Sequence, residues 1–196
     1  MSRLGNFIIM KNERKKEERK LRKERIIIGA LNIFKTNGVD NATMSDIAKE
    51  SGFGTATLYY YFPSKEDILV AMMERGWIQL WESIEDKIDD NILPRTKFVN
   101  LLNIMSKTVT ENKTLYEFLF TAPNIIDKSK QTWKPYQESL YKSLQEILEE
   151  VAKEDKITNL QPELLMKTIG GIFHGIVFLG YQINENEFES VINKFL

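Results

Sequence analysis

Two short runs carry side chains suited to holding a nucleic-acid phosphate and reading a base edge. Thr43 and Ser45 open the first with hydroxyls. Gly54, Thr55, Ala56, Thr57, Tyr59 and Tyr60 make up the second, with Tyr61 and then Lys65 just beyond. Hydroxyls and a lysine suit phosphate oxygens, hydroxyls also reach base edges, and the Ala56 methyl suits a thymine methyl. Material for catalysis is thinner. There is one histidine, His174, and no cysteine. No Gly-rich phosphate loop, nucleophile elbow or metal-ligand cluster stands beside it. The expectation is no enzyme, no metal and no cofactor.

The elements that would position those hydroxyls are legible. Residues 43–50 have helical spacing, with Met44, Ile47 and Ala48 facing inward and Thr43 able to cap. Gly52 can take the left-handed conformation that ends the helix. Residues 55–61 form a second short helix, stopped before Pro63. Ser64 opens a third, with Glu66 and Asp67 in its first turn. Two helices across a tight glycine turn are a helix-turn-helix. Ile47, Phe53 and Leu58 can plug the space between them, leaving the hydroxyls, tyrosines and Lys65 outward. The competing reading is an ordinary helical hairpin with half-buried tyrosines.

Residue spacing also carries a resemblance. Thr43-x-x-x-Ile47-Ala48, Gly52-Phe53-Gly54, Thr57-Leu58-Tyr59-Tyr60-Tyr61-Phe62 and Lys65-x-x-Leu69 resemble the DNA-binding domain of the tetracycline-repressor (TetR) family. Ala30, Phe34 and Gly38-Val39-x-x-Ala42-Thr43 resemble that family's first helix and its exit. The likeness covers about residues 22–71. Beyond it, only length and helical character are similar. The resemblance implies a DNA-binding regulator, most often a repressor, that is a two-fold dimer through its two C-terminal helices. It also implies a C-terminal domain enclosing a small molecule that shifts the spacing of the two DNA-binding heads.

The remaining pattern is helical throughout, so the fold class is all-α. Its 196 residues, 42% of them hydrophobic, suffice for a core. No apolar run reaches the ~20 residues that cross a bilayer, no signal peptide is read at residues 1–10, and Met10 is an alternative start. The protein is expected in the cytoplasm. Residues 1–20 read as a basic N-terminal arm, partly disordered; 21–67 as the helix-turn-helix domain; 68–196 as a ligand-binding and dimerisation domain. Residues 1–67 hold 13 Lys+Arg against 9 Asp+Glu, while 68–196 hold 14 against 19. The basic run at 11–25 suits either a solvated helix face or a phosphate-facing arm. Residues 22–35 give one apolar stripe, Ile26, Ile27, Ala30, Leu31 and Phe34, ended at Asn37-Gly38. A helix from 64 to about 89 is long enough to serve as a lever.

Two further surfaces follow. The helix at about 162–182 is apolar nearly all round and must be covered nearly all round. Gly171 and Gly175 lie one turn apart on it. With Ile172, Ile176 and Leu179, and with Phe188, Ile192 and Phe195 of the last helix, they are the candidate dimer interface. The alternative is that the glycines admit a helix of the same chain. Candidate pocket residues are Trp77, Trp81, Met105, Tyr116, Phe120, Trp133, Tyr136, Phe173, His174 and Phe178. They imply an apolar or aromatic effector with few polar anchors, against the alternative of plain core. The partners expected are a near-palindromic DNA duplex, a small-molecule effector and a second copy of the chain. A regulator of this build that senses a protein partner, or a helical carrier or enzyme, are the other readings.

Overall fold

A computed structural model describes residues 3–89, 91–121, 126–157 and 161–195; of residues 3–9, 128, 185, 186 and 195 it describes the backbone only. Every regular element among them is helical: α1 (Arg3–Asn41), α2 (Met44–Glu50), α3 (Thr55–Tyr61), α4 (Lys65–Glu85), α5 (Pro94–Glu111), α6 (Lys113–Thr121), α7 (Lys134–Glu154), α8 (Pro162–His174) and α9 (Glu185–Phe195). A 3-10 turn at Lys128–Lys130 precedes α7, and a π turn at Gly175–Leu179 continues α8. The chain divides into two compact units, Met1–Ala71 and Met72–Leu196.

In the first unit α1 packs on α2, and α2 on α3. The predicted stripe is the inner face of α1: Ile26, Ile27, Ala30 and Phe34 are all buried. Ile47, Ala48, Leu58 and Phe62 complete this small core. Close approach of α1 to the end of α2 depends on Gly29, where a Cβ would collide with the Ser51 side chain and backbone. The residues before 22 are helical rather than loose: α1 starts at Arg3, and Gly38 interrupts it with φ 77° and ψ 158°. Glycine tolerates that geometry because it lacks the Cβ that would clash.

In the second unit α5 lies against α7 and α9. Phe98, Leu101, Leu102, Met105 and Val109 bury one side of α5, facing Leu140, Leu144, Leu148 and Val151 of α7 and Phe188 and Ile192 of α9. Arg95 ties three elements at their ends, donating to Asp155 at 2.9 and 2.6 Å and to Asn193 Oδ1 at 2.7 Å. Lys97, 3% exposed, lies 3.6 Å from Glu150. The aliphatic stem of a lysine can pack in a core while its ammonium finds an acid at the edge.

Several boundaries differ from the sequence reading. α4 ends at Glu85, not near residue 89. The long C-terminal helix does not run to 182; it widens into the π turn and stops at Gly180, whose φ is 70°. The stretch Pro162–Leu179 has a mean hydropathy of 1.2 over 18 residues and is, by length and composition, apolar enough to cross a membrane. The sequence reading excluded such a run. Here Leu165, Ile169, Phe173, Ile176 and Val177 are buried within the chain, and in all 33% of the stretch is buried.

Candidate functional site

Local chemistry builds the helix-turn-helix. Thr43 caps α2: its hydroxyl accepts from the Asp46 amide at 3.2 Å and donates to the Asp46 carboxylate at 2.6 Å. The Thr43 amide donates back to that carboxylate at 3.1 Å, which closes a capping box. The Thr43 hydroxyl, then its amide, hold the Asp46 carboxyl below the usual carboxylate range. The turn follows through Gly52, φ 72°. Arg25 fastens it, donating to the Ser51 carbonyl at 3.2 Å and lying over the Phe53 ring at 5.0 Å.

α3 then turns two faces to different surroundings. Leu58 is wholly buried, while Tyr59 and Tyr60 are 50% and 69% exposed. Thr55 and Ala56 are exposed, and Thr57 is half-buried. Gly54, at the N-cap of α3, has no atom within 4 Å of where a Cβ would stand. Nothing within the protein crowds that position. Tyr61 is half-buried, edge-on to Tyr60 at 5.1 Å. Ser45 is exposed at the start of α2.

Two residues expected at phosphates have partners within the chain. Lys65 Nζ donates to the carbonyls of Val39 at 2.5 Å, Ala42 at 3.0 Å and Asp40 at 3.2 Å. An ammonium has three protons, and all three are engaged in closing the exit of α1. The Thr43 hydroxyl donates its proton to the Asp46 carboxylate at 2.6 Å. Sequence reasoning also missed a group. The Arg19 guanidinium of α1 lies 5.6 Å over the Tyr60 ring, and only a continuous helix before residue 22 could have signalled it.

The candidate pocket residues do not share one environment. Met105, Tyr116, Trp133 and Phe173 are buried. The Tyr116 hydroxyl donates to the Gly76 carbonyl at 3.2 Å, and burial raises its pKa. Trp77 and Trp81 are half-buried. Tyr136, Phe120 and Phe178 are 37%, 41% and 38% exposed, and His174 is exposed as well. Phe120, His174 and Phe178 meet in one surface cluster, the closest pair being His174 and Phe178 at 4.5 Å between rings. One cleft, of about 440 Å³, lies elsewhere, along α5 at Asn103, Ser106, Lys107 and Thr110, with Ile183 across it. Two buried polar atoms, Trp77 Nε1 and Gln79 Oε1, have no hydrogen-bond partner among the described residues.

The candidate dimer residues also divide. Ile176, Phe188 and Ile192 are buried within the chain, so they are core rather than surface. Gly175 makes room for the chain's own Tyr181, whose ring a Cβ would strike. Gly171 faces open space, Leu179 is 62% exposed and Ile172 is half-buried. The side chain of Phe195 lies outside the described residues.

Residues 26–72 match the family described as bacterial regulatory proteins, tetR family. Over those residues the chain carries a TetR-family DNA-binding domain. Among curated relatives, the HTH-type transcriptional regulator SAR0097 of Staphylococcus aureus (strain MRSA252) is 35% identical over 122 residues, which is 61% of this chain and 61% of that protein. The chain therefore spans less than two thirds of that relative's length. Two solved TetR-like folds are close in shape. AibR in complex with isovaleryl coenzyme A and operator DNA has a TM-score of 0.73 at 15% identity, covering 87% of this chain and 95% of that one. FadR from Bacillus subtilis in complex with stearoyl-CoA has 0.69 at 21%, with the same coverage. At such identities these two structures speak to fold.

Proposed function

We propose that the protein is a dimeric, ligand-released transcriptional repressor that reads a near-palindromic operator with α3. The supporting observation is the division of α3. Its inner side is buried on α2, while Thr55, Ala56, Tyr59 and Tyr60 stand outward on a seven-residue helix. In this reading Thr55, Ala56 and Thr57 meet base edges, with Ala56 against a thymine methyl. Tyr59, Tyr60, Ser45 and the amides beside Thr43 and Gly54 position the backbone. The partner for dimerisation is a second copy seated on the outer side of α8, at Leu164, Gly171, Phe178 and Leu179. Two α3 helices then enter successive major grooves ~34 Å apart. The site of action is the cytoplasm, where such duplexes are.

The effector in this reading is a small molecule with a large apolar part. Trp77 Nε1 supports it: a buried donor without an acceptor costs ~1–3 kcal/mol, which a polar group on a ligand would recover. Acyl thioesters of coenzyme A are the class to try first, because the AibR and FadR structures hold such molecules. To empty the operator, the ligand must favour the non-binding state by ~5.5 kcal/mol for a near-complete switch.

The test is fluorescence anisotropy on duplexes selected from a random pool. The parent should prefer selected over scrambled duplexes, and Tyr60→Ala should weaken binding to both alike, by about tenfold (~1.4 kcal/mol). Palmitoyl-CoA should release the selected duplex. A parent that does not discriminate among duplexes, or a Tyr60→Ala protein binding as the parent does, would overturn the reading.

A further inference from the structure

Arg19 contacts Tyr60 from a part of α1 that the three-helix core does not need. The nearest α1 residues in that core are Ile26 and Ile27. Lys15 lies eleven residues before Ile26, so at 1.5 Å per residue this extension reaches ~16 Å beyond the core. Residues 10–21 are all exposed. They bury no apolar surface that would explain a helix there.

Charge on the extension is sorted by direction. At ~100° per residue, Asn12, Lys15, Lys16, Arg22, Lys23 and Ile26 fall within about 60° of Arg19. All four acids of this stretch, Glu13, Glu17, Glu18 and Glu24, lie about 100° or more away. The acid-free face is therefore the one that carries Ile26 into the core and Arg19 onto the recognition helix. A solvated helix gains from interleaving acids and bases at i,i+4 on every side. The Glu18–Arg22 pair at 2.6 Å does this at the flank. Among the described residues no carboxylate pairs with Arg19. Lys23 lies over the Phe62 ring at 5.2 Å, which keeps the middle of the face directed at α3 and its exit.

We infer that residues 11–23 of α1 form a second, rigid DNA-contacting element. Lys15, Lys16 and Arg19 neutralise backbone phosphates next to those met by Tyr60. This rests on the reading of α3 above. Arg19 and Tyr60 come from different helices and meet at one place, so a single phosphate can take the guanidinium fork and the phenol hydroxyl together. The extension adds affinity and footprint but no base reading, because phosphates carry no sequence information. As a formed helix it is already ordered, so binding does not incur the entropy of folding a disordered arm.

The test compares two double variants of the full chain with equal charge removed: Lys15→Gln with Arg19→Gln on the face, and Arg14→Gln with Lys20→Gln off it. Glutamine is about as good a helix former as either cation, and circular dichroism checks that helicity is kept. Binding to the selected duplex is followed across a KCl series. Each phosphate contact contributes ~0.9 to the slope of log Kd against log salt. The on-face pair should lower that slope by about 2 per bound head and leave the preference for selected over scrambled duplexes unchanged. The off-face pair should keep the parental slope. Equal slopes in both variants, whether lowered or parental, would overturn the inference. A parent without salt-dependent affinity for any duplex would instead remove the α3 reading beneath it.

Discussion

Lys65 shows how a charge beside a binding surface can belong to the scaffold. Its position after α3 suits a phosphate, but its three donors meet three carbonyls at the exit of α1. Those carbonyls lie in the last residues of α1 beyond its interruption at Gly38 and just after its end at Asn41, where helical amides run out. Lys65→Met should cost about 1–2 kcal/mol in urea unfolding, because two part-buried acceptors and one exposed acceptor lose a charged partner. The salt slope of DNA binding should stay parental. A lowered slope with unchanged stability would return Lys65 to the phosphate backbone. Arg19 is the converse, a residue of a generic basic run that meets Tyr60 of α3 directly.

Among the helices, the glycines of α4 and α8 separate close crossings from open faces. At Gly76 a Cβ would stand 2.5 Å from Leu119 Cδ1, and the Gly76 carbonyl receives the Tyr116 hydroxyl. Gly76→Ala should destabilise the second unit by about 1–3 kcal/mol, as overpacking does. Gly171 meets nothing within 4 Å. Gly171→Ala should leave a folded protomer, stabilised by roughly 0.5–1 kcal/mol through helix propensity, with weaker self-association if a second copy lies there. Thermal melts and sedimentation read the two effects separately. The sequence alone made Gly171 and Gly175 look alike. The π turn and the left-handed Gly180 bring Tyr181 back onto Gly175, and no local signal announces that return.

The whole molecule presents an apolar surface where the proposed dimer would form. Leu164, Phe178, Leu179 and Tyr181 are 52%, 38%, 62% and 58% exposed, and Phe120 and His174 adjoin Phe178. Exposed apolar surface that clusters, as Phe178 does with Phe120 and His174, marks an interface more often than bare solvent-facing wall. Leu179→Glu should leave the fold intact, since an exposed site costs within about 0.5 kcal/mol. It should raise the dimer dissociation constant by at least about tenfold, with operator affinity falling alongside because the two heads no longer bind jointly. A protein that stays dimeric with Leu179→Glu would move the interface off this face.

The sequence by itself determined the helix-turn-helix. Thr43, Gly52 and Pro63 act on backbone within a few residues of themselves, and the apolar spacing of α1, α2 and α3 names the sides that meet. The tertiary structure alone decided which cations find partners within the chain, which aromatics are core and which glycine stays open. Those outcomes depend on atoms brought together from tens of residues away: Lys65 from the exit of α1, Arg19 from Tyr60, Tyr116 from Gly76. Local propensity carries no record of such distances, because burial and hydrogen-bond partnership arise only once helices are packed.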